Sequence, residues 1–338
     1  MIARRLAAIA VFCAGGAAAA QVGVVDPDVG AVLARHLEFT AGDLADLGRG
    51  RIVKHGLPSP APGEIAVVGA VRVRAPMAAF FARVRDIARF KSGPEVLQIG
   101  RFSSPPVLDD LAALTVDKDD FDVRACRVGD CGIRLPADII ARVAREIDPR
   151  TPDASARGAV LFKQVLLEKV LAHVTGGPDP MPQYDDGSEA IHPREEFEGV
   201  MTRMPEIGAL MPGLPDHMRH FPSSRLPDAE DFLYWSKEKF GIEPFITVTH
   251  VTIVCPSAAT CLMATRDVYS SRYLDASVAL AIATNAGPDA FDLVYDNRSR
   301  AHALKGAFGG LRRSLTERRA RGALEDSLKV VKKQLEKG

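Results

Sequence analysis

The chain has 338 residues, and its 43 basic and 43 acidic side chains cancel to a formal charge of zero. Such a balance gives a polyanion nothing to be steered by, which excludes nucleic acid as an expected partner. Beyond the first residues no run approaches the ~20 apolar residues of a membrane span, and the length suits one elaborated domain or two.

The N-terminus reads MIARRLAAIAVFCAGGAAAAQVG. Arg4 and Arg5 precede an apolar stretch from Leu6 to Ala14, and Ala18 to Ala20 offer a small-residue cleavage site before Gln21. This is the pattern of a secretory signal peptide over residues 1–20, so a periplasmic or secreted protein is expected. Cleavage would remove Cys13 and two arginines and leave a charge of −2. Cys126, Cys131, Cys255 and Cys261 then remain, an even number that in an exported protein reads as disulfides. Their spacings lack the second cysteine or histidine knuckle of a zinc site, and no C-x-x-C-H suggests haem. Each close pair brackets a turn, at Val128-Gly129-Asp130 and at Pro256 to Thr260, between strand-like runs. Two local, hairpin-closing disulfides, Cys126–Cys131 and Cys255–Cys261, are therefore expected, with no metal and no cofactor.

In chain order, residues 21–63 form an N-terminal segment of short helices (28–48) and loop, closed by the breaker cluster LPSPAPGE. EIAVVGAVRVRAP alternates as a strand, and after Pro76 MAAFFARVRDIARF has helical spacing. VLQIGRFS, LAALTV and the flanks of the first cysteine pair complete a strand-rich part at 64–136. Residues 137–243 read as helical. ADIIARVAREI comes first, then RGAVLFKQVLLEKVLAHVT with its Gly176-Gly177 stop, then HPREEFEGVMTRM. DAEDFLYWSKEKFG follows as a short amphipathic helix capped by Asp228. Over 244–338 the period becomes two. PFITVTHVTIV, LMATRDVYSSRYLDASVALAIAT and AFDLVYDNRSRA predict three long antiparallel strands. A helix from about Leu304 ends the chain, with Phe308, Leu311, Leu315, Leu324, Leu328, Val331 and Leu335 on one stripe.

VRVRAPMAAFFARVRDIARF resembles the first strand and helix of the helix-grip fold of START lipid-transfer domains and the birch-pollen-allergen and polyketide-cyclase superfamily. SRAHALKGAFGGLRRSLTERRARGALEDSLKVVKKQLE resembles the terminal helix of that fold. The resemblance implies an α+β fold, an antiparallel sheet wrapped on a long C-terminal helix, with 137–243 as a large helical insertion. It also implies a hydrophobic cavity between sheet and helix. The GDC and YWSKE stretches are similar to those of uncharacterised exported bacterial proteins, which implies no activity.

Candidate site residues follow from that order. His250 lies inside a predicted strand and shares a face with Val248 and Thr252; turned into a cavity, it can bind a polar group or act as an acid/base. Tyr234 and Trp235 offer an aromatic pair, and Tyr269, Arg272 and Tyr273 a mixed aromatic and polar wall. His217 and His220 have no carboxylate at a ligand spacing and read as surface histidines. His192 before Pro193 reads as a helix start, without the H-E-x-x-H of a zinc site. GAFGGLRRS lacks the Lys-Ser/Thr of a phosphate loop, and no G-x-S-x-G occurs. Three functions remain, the first favoured. They are a carrier of a lipid-like or other apolar small molecule, an envelope interaction protein docking a partner through 137–240, and an enzyme with His250 as acid/base.

Overall fold

A computed structural model describes residues 28–177, 181–187, 189–239, 243–306 and 309–337. The expected signal peptide and Cys13 lie outside these. Asp28 accepts from the Ala31 N–H and starts α1 (Val29–His36). Thr40 and Asp43 cap each other's backbone at α2 (Ala41–Gly48), satisfying donors a helix start leaves orphaned. Strands β1 (Val53–Gly56) and β2 (Glu64–Val73) follow, then α3 (Met77–Arg85), α4 (Ile87–Phe90) and β3 (Val96–Arg101). The helical stretch holds α5 (Ala137–Glu146), α6 (Ala154–Thr175), α7 (Pro193–Met201), α8 (Pro205–Leu210) and α9 (Leu214–His220). Last come β4 (Glu230–Glu238), β5 (Phe245–Val254), β6 (Thr260–Ser270), β7 (Ala276–Gly287), β8 (Ala290–Arg300) and α10 (Gly309–Glu336).

The fold is α+β: one eight-stranded sheet, antiparallel throughout, in the order β1-β2-β8-β7-β6-β5-β4-β3, with a long C-terminal helix. Side chains alternate between its faces, so register sorts the core into two layers. On the first face Val67, Val71, Phe291 and Leu293 meet Phe80 and Val84 of α3 and Leu324 and Leu328 of α10. On the second, Val68, Leu280 and Val294 pack under α1 and α7 to α9, while Trp235, Val248 and Tyr269 pack under α5 and α6. At Gly69 a Cβ would lie 2.9 Å from Leu328, so this glycine permits α10 to press directly on β2.

Both disulfides form as expected, Cys126–Cys131 and Cys255–Cys261. Among the described residues no helix is long and apolar enough to cross a membrane. Both facts are compatible with an exported protein.

Four expectations change. DFLYWSKE is strand β4, not an amphipathic helix, because Phe232 to Trp235 are consecutively buried in a sheet covered on both faces. The second of the three long strands is two strands, β6 and β7, folded back at Ser271 to Asp275, where Tyr273 takes the left-handed φ of +63°. LAALTV and the flanks of Cys126–Cys131 form turns; the isolated bridge Arg127 to Asp130 is the β pairing found there. Leu311 and Leu315 are 66% and 49% exposed, and the buried leucines of α10 begin at Leu324, where the helix lies on β2.

Trp235, the sole tryptophan, is fully buried, and its indole N–H donates to the Asp110 carbonyl at 2.8 Å. Its ring lies against Gly100 of β3, where a Cβ would come within 2.6 Å. Gly100→Ala is therefore expected to cost about 1–3 kcal/mol by overpacking. Denaturant unfolding followed by the emission of this one tryptophan checks the cost, and an unchanged midpoint would refute it.

Candidate functional site

The register of three strands sets a row of polar side chains on the second face. Asp231 of β4 stands opposite Thr252 of β5, Leu233 opposite His250, and His250 opposite Arg266 of β6. The last turn of α6 lays His173 on this row, and α9 adds His217. His173, His217 and His250 are at most 2% exposed. The ring of Phe221 covers them, with its centroid 4.5 Å from His250, 5.3 Å from His173 and 5.5 Å from His217.

Their hydrogen bonds run in one direction. Arg266 Nη2 donates to His173 Nδ1 at 3.1 Å. A guanidinium only donates, so His173 carries its proton on Nε2 and passes it toward His250 Nδ1, 3.2 Å away. His250 must then hold its proton on Nε2, facing Asp231 Oδ1 at 3.0 Å. From the other side the Leu226 N–H donates to His217 Nδ1 at 3.1 Å, which commits His217 Nε2–H to the same Asp231 oxygen at 3.0 Å. Thr252 adds a third donor to that oxygen at 2.7 Å. The donors at the two ends thus fix all three imidazoles as neutral and assign each tautomer.

The electrostatics agree. Burial, then the Arg266 charge, holds His173 well below the ordinary imidazole range. Burial lowers His250 too, against the opposing pull of Asp231. Burial alone would raise Asp231, yet the hydrogen bonds from His217 and His250 keep its carboxyl well below the usual range. The nitrogens facing Asp231 carry protons, so they offer no lone pair to a metal. Among the described residues no group of three or more possible ligands has metal geometry.

Arg266 ends the relay and forms part of a pocket wall. The pocket has a volume of about 220 Å³ and is lined by Arg194, Arg219, Arg266, Phe197, Phe221 and Ser223, with others. Arg219 pairs with Glu198 at 2.8 Å. Arg266 is 4% exposed and stacks its guanidinium 4.8 Å from the Phe197 ring centre. It donates to the Met218 carbonyl and to His173, and its Nε–H has no partner. Among the described residues no carboxylate lies within ion-pair distance of it; the carboxylate whose charge favours it is Glu198, the partner of Arg219. Burial and the nearby Arg194 push its pKa down to about 10.

Of the residues singled out from sequence, His250 joins this cluster. Trp235 and Tyr269 share its face but serve packing; the Tyr269 hydroxyl donates to the Arg134 carbonyl at 3.1 Å. Tyr234 faces the opposite layer, 5.2 Å beneath Lys91 Nζ. Arg272 donates to the carbonyls of Gly132, Pro244 and Asp120, bracing the β6–β7 turn in which Tyr273 sits. None of these five lines the arginine pocket. His217 is corrected: it is 1% exposed, because α9 packs its inner side on the sheet, whereas the His220 side chain is 59% exposed. His173, Asp231, Arg219, Arg194 and Arg266 were not legible as a site. The one local signal was an arginine at an interior strand position, in ATRDV. Comparison with protein families, curated proteins and solved structures found no match.

Proposed function

We propose that this protein binds and carries a small organic anion in the arginine pocket. The observation that carries the reading is Arg266: a buried cation in a pocket wall, with no carboxylate in direct ion-pair contact among the described residues and one N–H unpartnered. An unpaired buried charge costs several kcal/mol, roughly, unless something of opposite sign meets it. An anion entering between Arg194, Arg219 and Arg266 supplies that sign. Phe197 and Phe221 give its carbon skeleton an apolar wall, and a cavity of about 220 Å³ limits it to a small molecule.

The same geometry favours binding over catalysis. The imidazoles lie behind Arg266 and Phe221, and every ring nitrogen is engaged. His250 is thus placed to position Arg266, not to exchange protons with a ligand. The carrier function expected from sequence is retained with a different ligand chemistry and a different place. Where the helix-grip resemblance puts its cavity, Leu324 and Leu328 meet Gly69 directly. Docking a protein through 137–240 gains no support, since among the described residues the one large apolar side chain exposed there is Val160.

Thermal unfolding and calorimetry with short carboxylates and phosphate monoesters, against the matching alcohols and amines, test the reading. An anion at 100 times its Kd is expected to stabilise by about 2.7 kcal/mol, with affinity falling as salt rises. If no anion outperforms its neutral analogue at low ionic strength, the proposal fails.

A further inference from the structure

The apolar layer on the first face of the sheet stops partway along five strands. It reaches Tyr234 of β4, Val251 of β5, Met263 of β6, Ala281 of β7 and Leu293 of β8. Beyond it, register sets a polar belt across the same face, with Ser236 opposite Thr247, Thr249 opposite Asp267, and Ser277 opposite Ser299. Ser236, Thr247 and Thr249 are at most 4% exposed, and Asp267 is half-buried.

Most of the belt is satisfied from within. Ser236 donates to Glu238 at 2.6 Å and bonds Thr247 at 3.0 Å. Ser277 and Ser299 bond at 2.9 Å, and Asn297 donates to the first and accepts from the second. Glu238 pairs with Lys91, which follows α4, and the Lys91 Nζ lies 5.2 Å from the centre of the Tyr234 ring. Asp267 differs. Its Oδ1 accepts from Thr249 at 2.9 Å, but among the described residues no hydrogen bond reaches Oδ2 and no cation lies within ion-pair distance. That oxygen is unpartnered without being sealed from solvent, so a ligand can reach it. Arg266, the residue before it on β6, cannot supply the charge, because neighbours on a strand point to opposite faces.

We propose that this belt binds a small organic ammonium ion at Asp267. A carboxylate oxygen has only lone pairs to offer, so what it takes is a donor or a cation, not an anion. Lys91 displays the same chemistry within the chain: an alkylammonium held between a carboxylate and a tyrosine ring. With Lys91 matched by Glu238, a monocation on Asp267 leaves the belt neutral. The site lies across the sheet from the arginine pocket and does not rest on the anion-binding reading.

Calorimetry of the full chain with choline and with its uncharged isostere 3,3-dimethylbutan-1-ol, at pH 8 and low salt, tests the proposal. Choline is expected to bind at least about tenfold more tightly, as one charge-assisted contact allows. Asp267→Asn, which keeps an acceptor for Thr249, is expected to abolish that preference. The wild type supplies a second measure, in case the variant does not fold. Burial, against the Thr249 bond and the Lys91 charge and with Glu238 adding to the rise, pushes Asp267 up to about 7. Tyr234 and Tyr295 are the other titratable groups at the edge of the belt. The charge of choline does not titrate. Its advantage over the alcohol should therefore level off above pH 7 and fall below it, by at most about tenfold per unit, as Asp267 takes up a proton. No preference for choline at pH 8, a preference unchanged in Asp267→Asn, or one undiminished at pH 5 overturns the proposal. Anion binding at Arg266 is measured with other ligands and fails or survives separately.

Discussion

Arg266→Met is expected to weaken anion binding at least about 100-fold while leaving the melting temperature of the ligand-free protein within a few degrees of the wild type. A 100-fold loss is about 2.7 kcal/mol, within reach of the one or two charge-assisted bonds, at ~1.5–3 kcal/mol each, that the guanidinium can give an anion. The stability side has two opposing parts. Removing a buried cation that lacks a carboxylate in direct ion-pair contact and filling its volume with an apolar chain is neutral to stabilising by ~1–4 kcal/mol. Against this, His173 Nδ1 and the Met218 carbonyl lose their donor, at a cost of ~1–3 kcal/mol for each buried group left unmade. These nearly cancel, so binding and stability part company, as expected where a residue is retained for its ligand. Arg266→Lys should fall between, since one ammonium on a thinner stem cannot reach both acceptors and stack on Phe197. Calorimetry and thermal unfolding on the same samples check this. Binding retained within about threefold would remove Arg266 from the site, and by the same affinity arithmetic would leave under 1 kcal/mol to explain.

How much of this was legible depended on how local each feature is. β5, β7 and β8 keep period two in the letters because small or polar side chains such as Thr247, Thr249 and Ala279 alternate with larger apolar ones, although β5 is buried throughout. The cysteine pairings were legible because each pair spans its own turn. β4 was not: with both faces covered, Phe232, Leu233, Tyr234 and Trp235 are all buried, and a continuous apolar run after Asp228 imitates a capped helix. That one misreading hid the site, because Asp231 can be set opposite Thr252 only once β4 is a strand. His250 stood out as a polar residue inside a strand. Its partners come from α6, α9, β4 and β6, and no spacing in the sequence relates them. The terminal stripe from Leu324 to Leu335 was read correctly as inward; nothing in the letters sets the exposed Leu311 and Leu315 apart from it.

Asp231→Ala is expected to be the most damaging single substitution in the relay, lowering the free energy of unfolding by about 3–5 kcal/mol, as removal of one partner from a buried charged network does. Its Oδ1 is the common acceptor for His217, His250 and Thr252, and the carboxylate is 20% exposed. Alanine strands three donors, two of them on imidazoles whose other nitrogens are already committed and so cannot change tautomer. Each stranded group costs ~1–3 kcal/mol, less whatever water reaches them. The acid limb of stability separates the contributions. His173 and His250 are held below their free value of 6.5, so their unfolded forms take up protons first, and stability begins to fall as pH drops through 6.5. Asp231 is held below its free value of 3.8, so its share is intact above that pH and is lost only as pH falls further. Without Asp231, the decline below about pH 4 should flatten, and the step near pH 6.5 should persist because burial and Arg266 still depress His173. Denaturant unfolding at pH 7, 5 and 3 for wild type and Asp231→Ala measures both. A loss under about 1 kcal/mol at pH 7, the net worth of one ordinary hydrogen bond, would mean that Asp231 is not the acceptor on which the relay, and through it Arg266, is hung.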